Sequence, residues 1–348
     1  MKFGLDTFGD MTVTTDGHAK SAAQVIRDVS AQAQLADQLG IDHFNVGEHH
    51  RDDYAVSAPD MVLAGIAGVT KDIQLGTAVT VLSSEDPVRV FQRFSTLDAL
   101  SNGRAEITVG RGSFTESFPL FGYELKDYEI LFEEKFDLLL KLLEENEVTW
   151  SGTTRGSLDG LEVYPKTEKG KIPMRRGVGG SPQSVYRTAE QGLAIAFAII
   201  GGDPIRFAGM SQVYKQALEA NGHAMQSIGI HSPGHIAATD EQAAEELWPH
   251  YAKAFGRIGR ERGWGPMSME HFVAEVKHGS LYVGSPETVA QKIAYAIEAV
   301  GADRFDLKYA TGPMPHEHLM QSIELYGTQV IPRVKEILAE KQTLKKSA

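Results

Sequence analysis

The chain has 348 residues, 42% hydrophobic and 23% charged, with 34 Lys+Arg against 46 Asp+Glu and a net charge of -12. This is the composition of an ordinary globular protein with a sizeable core, and an acidic balance without a basic stripe speaks against nucleic acid or an anionic membrane as partner. No cysteine is present, which excludes disulfides, thiolate chemistry and cysteine-ligated zinc. Without a signal-peptide pattern or a membrane-length apolar run, the expected location is cytoplasmic.

Short β-rich runs alternate with longer amphipathic ones, the rhythm of a parallel sheet with crossover helices. In the first half, strands are expected over 2–8, 43–48, 73–80 and 105–109, and helices over 19–39, 59–69, 87–100 and 128–145. Ala22, Val25, Ile26, Val29, Ala33 and Ala36 recur at helical spacing before a stop at Gly40, while Pro59 and Pro87 stand where a helix start loses no hydrogen bond. A glycine- and charge-rich excursion over 149–171 follows. Further strands are expected over 174–178, 193–200, 228–237 and 304–309, and helices over 181–191, 204–220, 239–255 and after Pro315. Together they predict one (β/α)₈ TIM barrel over 1–348, with inserted loops. The stretch 256–284 contains Gly256, Gly259, Gly263 and Gly265; it reads as a long mobile loop, either a candidate lid or an irregular surface connection.

Barrel sites form where strands end, and four polar clusters stand at such places: Gly47-Glu48-His49-His50, Thr77-Ala78-Val79, Gly110-Arg111-Gly112-Ser113 and Gly179-Gly180-Ser181-Pro182-Gln183-Ser184. The last joins a glycine turn to a helix start, where free N–H groups attract a phosphate, although Ser181 serves equally as a plain N-cap. Arg111, between glycines, suits a bidentate phosphate contact or a surface ion pair. Glu48, His49 and His50 lack H-E-x-x-H spacing, and adjacent residues at a strand end diverge, so no metal is expected. One histidine should face the pocket and the other pack against a loop. His316 and His318, flanking Glu317, are expected to be solvated at a loop tip. Phe114, Phe118, Phe121 and Tyr123 suit either an apolar ligand or the burial of their own loop. No G-x-G-x-x-G follows the first strand and no phosphate-binding P-loop occurs, which disfavours a Rossmann enzyme.

Taken in order, Val46-Gly-Glu-His-His50, Leu75-Gly-Thr-Ala-Val79, Asp86-Pro-Val-Arg89, Leu97-Asp-Ala-Leu-Ser-Asn-Gly-Arg104, Gly110-Arg-Gly112, Val283-Gly-Ser-Pro-Glu-Thr-Val289 and Leu325-Tyr-Gly-Thr-Gln-Val-Ile-Pro332 resemble the bacterial luciferase-like family of flavin-dependent monooxygenases, over almost the whole chain. The resemblance implies reduced FMN as cofactor, supplied by a separate flavin reductase and used with O2 to oxygenate a small organic substrate. It implies that Arg111, Ser181 and Ser184 hold the flavin phosphate among Gly110, Gly179, Gly180 and Gln183. By the same resemblance Thr77, Ala78 and Val79 line the flavin ring across a cis Ala78–Val79 peptide, and His49 is the catalytic histidine. Luciferase itself has a cysteine and an acidic residue where Gly110 and Gly180 stand, so light emission and an aldehyde substrate are not carried over. Relatives also imply a homodimer, for which the helix over 18–39 is a candidate face, unless its apolar stripe is spent on the barrel. Two other readings stay open: a deazaflavin-dependent hydride-transfer enzyme of the same superfamily, from which the Glu48-His49-His50 cluster leans away, and a non-catalytic flavin-binding barrel.

Overall fold

The computed structural model describes residues 1–112, 114–168, 170–263 and 265–347, with 345–347 described by backbone alone. Ser113, part of the third strand-end cluster, lies outside the described residues. The first half contains β1 (Lys2–Thr7), α1 (Ala22–Gln38), β2 (His43–Val46), α2 (Pro59–Ala67), β3 (Gln74–Thr77), β4 (Thr80–Val81), α3 (Pro87–Leu100), β5 (Ile107–Gly110), α4 (Ser117–Leu120) and α5 (Tyr128–Glu144). An antiparallel hairpin of β6 (Glu147–Trp150) and β7 (Leu158–Glu162) occupies the 149–171 excursion. Then come β8 (Met174–Val178), α6 (Pro182–Glu190), β9 (Ala194–Ala198), α7 (Ala208–Ala220), β10 (Ile228–Ile236) and α8 (Asp240–Arg262). They are followed by α9 (Met269–His278), β11 (Tyr282–Gly284), α10 (Pro286–Val300), β12 (Arg304–Lys308), α11 (His316–Leu325) and α12 (Ile331–Ser347).

Hydrogen bonding runs in the order β3-β2-β1-β12-β10-β9-β8-β5, with every pairing parallel. A bridge between Leu75 and Ala105 brings β3 against the approach to β5 and closes the ring. This is the expected (β/α)₈ barrel, with β4 a short strand paired to β5.

Side chains alternate across a strand, and in β12 both faces are buried. Phe305 and Leu307 occupy one face; Arg304, Asp306 and Lys308 occupy the other. Arg304 Nε donates to both oxygens of Asp306 at 2.9 and 2.7 Å, Nη1 to Glu106 at 2.6 Å, and Nη2 to Asn45 at 3.4 Å. Asn45 in turn donates to Asp6 at 2.6 Å. These partners come from β1, β2 and β12 and from the entrance to β5, so the network lies inside the ring. It forms a polar floor under the strand ends.

Several motifs settle local structure. Asp86 caps α3, accepting from the amides of Val88 and Arg89 at 2.9 and 3.2 Å. Buried Arg104 donates to the carbonyls of Ser101, Ile73, Ala67 and Thr70 at 2.8, 2.8, 3.1 and 3.1 Å, pinning the link between α2 and β3. The apolar positions Val25, Val29, Ala33 and Ala36 of α1 are buried within the chain, so this stripe is spent on the barrel.

The stretch 256–284 is not one long loop. α8 continues to Arg262 with Gly256 and Gly259 inside it, and α9 and β11 occupy most of the remainder. Glycine is tolerated in this last part of α8 because tertiary contacts hold it. Arg51 donates to Glu261 at 2.7 and 2.8 Å, and Arg257 bridges to Asp52 at 2.6 Å, tying the helix end to the loop after β2. Gly263, at φ 69°, then ends the helix.

Candidate active site

The strand ends surround a cavity of about 550 Å³, within the usual range for small-molecule sites. Its floor includes Asp6, Asn45, Arg304 and Asp306, and the last turns of α8 contribute Ala254, Phe255, Ile258 and Arg262. Burial and the neighbouring Asp6 charge push the Asp306 carboxyl up to about 6, although Arg304 opposes them.

Of the residues expected from the sequence, His49, Thr77, Ala78, Val79, Gly110, Arg111, Gly179, Ser181 and Ser184 line this cavity. Gly180 and Gln183 do not. Gly180 takes φ 112° and turns toward Phe207 and Met210, while Gln183 is exposed in the first turn of α6, on a different side from Ser181 and Ser184. The Ala78–Val79 peptide is cis, as the resemblance implies. Thr77 spends its hydroxyl on the barrel wall, donating to Thr108 O at 3.1 Å and accepting from Thr80 at 3.0 Å.

His49 and His50 diverge as expected. His50 meets Glu48 at 2.8 Å and packs edge-on against Phe121, while the second oxygen of Glu48 accepts from the amide of Val81 at 3.1 Å. The His49 ring lies edge-on to Phe8 and Phe114, at centroid distances of 4.7 and 5.1 Å, and beside Tyr54 at 4.3 Å. Burial, reinforced by the charges of Lys308, Arg51 and His50, pushes its pKa down to about 3. It is therefore a neutral imidazole, and its buried Nε2 has no hydrogen-bond partner among the described residues.

Arg111 donates to Glu129 through two nitrogens at 2.9 and 2.7 Å and to Glu133 at 3.1 Å, an ion pair that coexists with its place in the cavity wall. Ser181 does cap α6, accepting from the amide of Ser184 at 3.4 Å. Phe114 alone of the four aromatic residues over 114–123 reaches the cavity. Phe118 is fully buried against Tyr128, so much of that loop's aromatic content serves the loop. His316 and His318 are not solvated: both are partly buried, and His316 Nδ1 lies 3.0 Å from Gln32 Nε2. Among the described residues no cluster of three His, Cys, Asp or Glu could hold a metal.

Other cavity groups escaped the sequence reading. His231, on β10, pairs through Nδ1 with Asp6, and its ring stacks on Phe8 at 5.9 Å. Burial raises the Asp6 carboxyl, but the hydrogen bond and charge of His231, with the Asn45 hydrogen bond and the Arg304 charge, together hold the group below its ordinary value. Lys308 lies 3.1 Å from Asp10 and 4.6 Å above the Phe8 ring. Arg176, on β8, is buried in the wall beside Arg111. One signal was available in the sequence: charged residues at every second position of 304–308 mark a strand whose polar face points into the ring.

The model of the luciferase-like monooxygenase family matches residues 1–304, and the chain belongs to that family. It is 24% identical over 366 aligned positions to the alkanal monooxygenase alpha chain of Photorhabdus laumondii, covering 94% of this chain and 98% of the relative. Among solved structures, the monooxygenase RslO1 of Streptomyces bottropensis superposes with a TM-score of 0.82 at 23% identity, covering 95% of this chain and 99% of the other. The oxygenating constituent of 3,6-diketocamphane monooxygenase from Pseudomonas putida, in complex with FMN, gives 0.76 at 18% identity over 96% and 98%. The coenzyme F420 dependent tetrahydromethanopterin reductase of Methanopyrus kandleri gives 0.72 at 18% identity over 96% and 99%. The chain is thus a barrel of an oxidoreductase family, and of these fold neighbours one is in complex with FMN and another is coenzyme F420 dependent. No helix among the described residues is long and apolar enough to cross a membrane.

Proposed function

We propose that the protein is a flavin-dependent monooxygenase that uses reduced FMN and O2 on a small organic substrate. The observation that carries this reading is the composition of one cavity: Thr77–Val79 and His49 lie along its wall, with Arg111 and the start of α6 in the same enclosure. The residues suit the cofactor. Ala78 and Val79 offer an apolar surface for a planar ring, and the amides opening α6 with Arg111 offer donors to a phosphate. When bound, the flavin supplies the activation of oxygen; the protein binds it, orients it and excludes water. His49 serves as the catalytic residue, a neutral imidazole whose Nε2 can exchange a hydrogen bond with the reacting groups. Phe8, Phe114, Phe255 and Ile258 give the substrate end an apolar lining, suited to a largely apolar organic molecule.

The reduced flavin comes, in this reading, from a separate reductase. A deazaflavin hydride-transfer enzyme is the second reading, supported by the Methanopyrus kandleri likeness. Absorbance titration of the purified chain with FMN and with F420 separates the two. Saturable FMN binding, with substrate-dependent O2 uptake once a reductase supplies reduced FMN, is the expected result. Binding of F420 alone would replace the proposal with its rival.

A further inference from the structure

Three guanidinium groups meet one oxygen of Glu133. Arg111 Nη2, Arg176 Nη2 and Arg187 Nη1 lie 3.1, 2.8 and 2.9 Å from its Oε1. They come from the end of β5, the middle of β8 and the second turn of α6, while Glu133 projects from α5. Glu129 takes a further pair of bonds from Arg111. Three cations stand against two carboxylates, an excess of positive charge at the cavity wall that favours an anion there.

Arg176 carries the second observation. It is 1% exposed, its guanidinium packs against Phe132 and Phe136 at 4.9 Å from each ring centroid, and it forms part of the cavity wall. Its Nη1 is buried with no hydrogen-bond partner among the described residues. Leaving such a donor unsatisfied is unfavourable, and a buried guanidinium with a spare N–H calls for an acceptor. Ser181 and Ser184, at the start of α6, line the same cavity and bring the positive end of a helix dipole.

We propose that Arg176 is a second phosphate-binding guanidinium beside Arg111, and that Glu133 gathers Arg111, Arg176 and Arg187 into place before a phosphomonoester arrives. This rests on the reading of the cavity as a flavin mononucleotide site. It adds a residue that the strand-end clusters did not include.

The experiment compares the full chain with Arg176→Met, which retains much of the stem's packing, and Arg176→Lys, which retains the charge without the planar fork. Fluorescence quenching gives the affinity of each for FMN and for riboflavin, and thermal unfolding reports integrity. Arg176→Met should weaken FMN by ~10–100-fold, as expected for a charge-assisted hydrogen bond lost, and leave riboflavin within about twofold. Arg176→Lys should fall between. An FMN-to-riboflavin affinity ratio equal to that of the unaltered chain would overturn the proposal and leave Arg176 as a staple between β8 and α5. If Arg176→Met does not fold, Arg176→Lys decides: a reduced ratio supports the role and an unchanged one overturns it. If the unaltered chain binds FMN no better than riboflavin, the phosphate site itself is wrong and the role of Arg176 falls with it; that outcome is distinct from an unchanged ratio in the variants.

Discussion

Gly110 lies directly against Val79: a Cβ on Gly110 would stand 2.8 Å from Val79 Cγ2 and 3.3 Å from Val79 Cβ. The end of β5 and the peptide after β3 therefore interlock, and the cavity wall at 78–79 keeps its position because position 110 has no side chain. Gly110→Ala forces one of these segments to shift, at ~1–3 kcal/mol for overpacking a closed core. Urea unfolding should show a lower midpoint with an unchanged slope. An unmoved midpoint would mean that the wall yields freely.

Arg304 holds the barrel floor, with Asp306 and Glu106 both within 2.7 Å and only 3% of its surface exposed. Arg304→Met leaves these carboxylates buried near Asp6 without their main counter-charge. Breaking a buried ion pair from one side costs ~3–5 kcal/mol. Denaturation should show a loss of this size, and a loss below ~1 kcal/mol, the range of an exposed pair, would show that water reaches the floor.

The ring of strands was legible because each strand keeps a β-rich run between helical periods, and Leu193–Ile200 could be read as a buried strand from its apolar run alone. The last part of α8 was not legible. Gly256 and Gly259 argue against helix locally, and the contacts that override them, from Arg51 and from Arg257 to Asp52, connect residues about two hundred positions apart. In the site, residues following a strand end could be found by position. Arg176, His231 and Lys308 lie within or at the end of strands, and their significance depends on which face each side chain takes: His231 turns to Asp6 inside the ring, while Arg176 turns toward Phe132 and Phe136 of α5. That face follows from alternation only once the register of the whole ring is known.

The displaced titration of His49 makes stability depend on pH in a stated direction. Its folded pKa is lowered from 6.5 to about 3, so between these values the unfolded chain takes up a proton that the folded chain rejects. The stabilisation from neutral His49 is complete above about 6.5 and is lost as pH falls toward about 3. Against His49→Gln, which lacks this proton, the stability difference should shift toward the variant by up to ~1.4 kcal/mol per pH unit below pH 6. Urea unfolding of both proteins at pH 7, 6 and 5 measures it. A difference that stays constant over that range would show that the ring is open to protonation in the folded state.

His49 and His231 flank Phe8 in different electrostatic settings, and this separates their expected roles. His231 is tied through Nδ1 to Asp6, whereas His49 faces positive charges from Lys308 and Arg51 and keeps a buried Nε2 without a partner. Near neutral pH His49 is thus an uncharged imidazole available to exchange a hydrogen bond with reacting groups. In His49→Ala, FMN should still bind within a few fold, because the Arg111 end is untouched. With reduced FMN supplied and a productive substrate found, oxygenated product should fall by the ~10²–10⁴-fold typical of losing a general acid or base, while O2 uptake continues and hydrogen peroxide accumulates. Product analysis alongside O2 and peroxide measurements gives the coupling ratio. A folded His49→Ala protein that binds FMN and still oxygenates its substrate at the original yield would reduce His49 to packing between Phe8, Tyr54 and Phe114, and would move the search for the proton-handling group to His231 and Asp6.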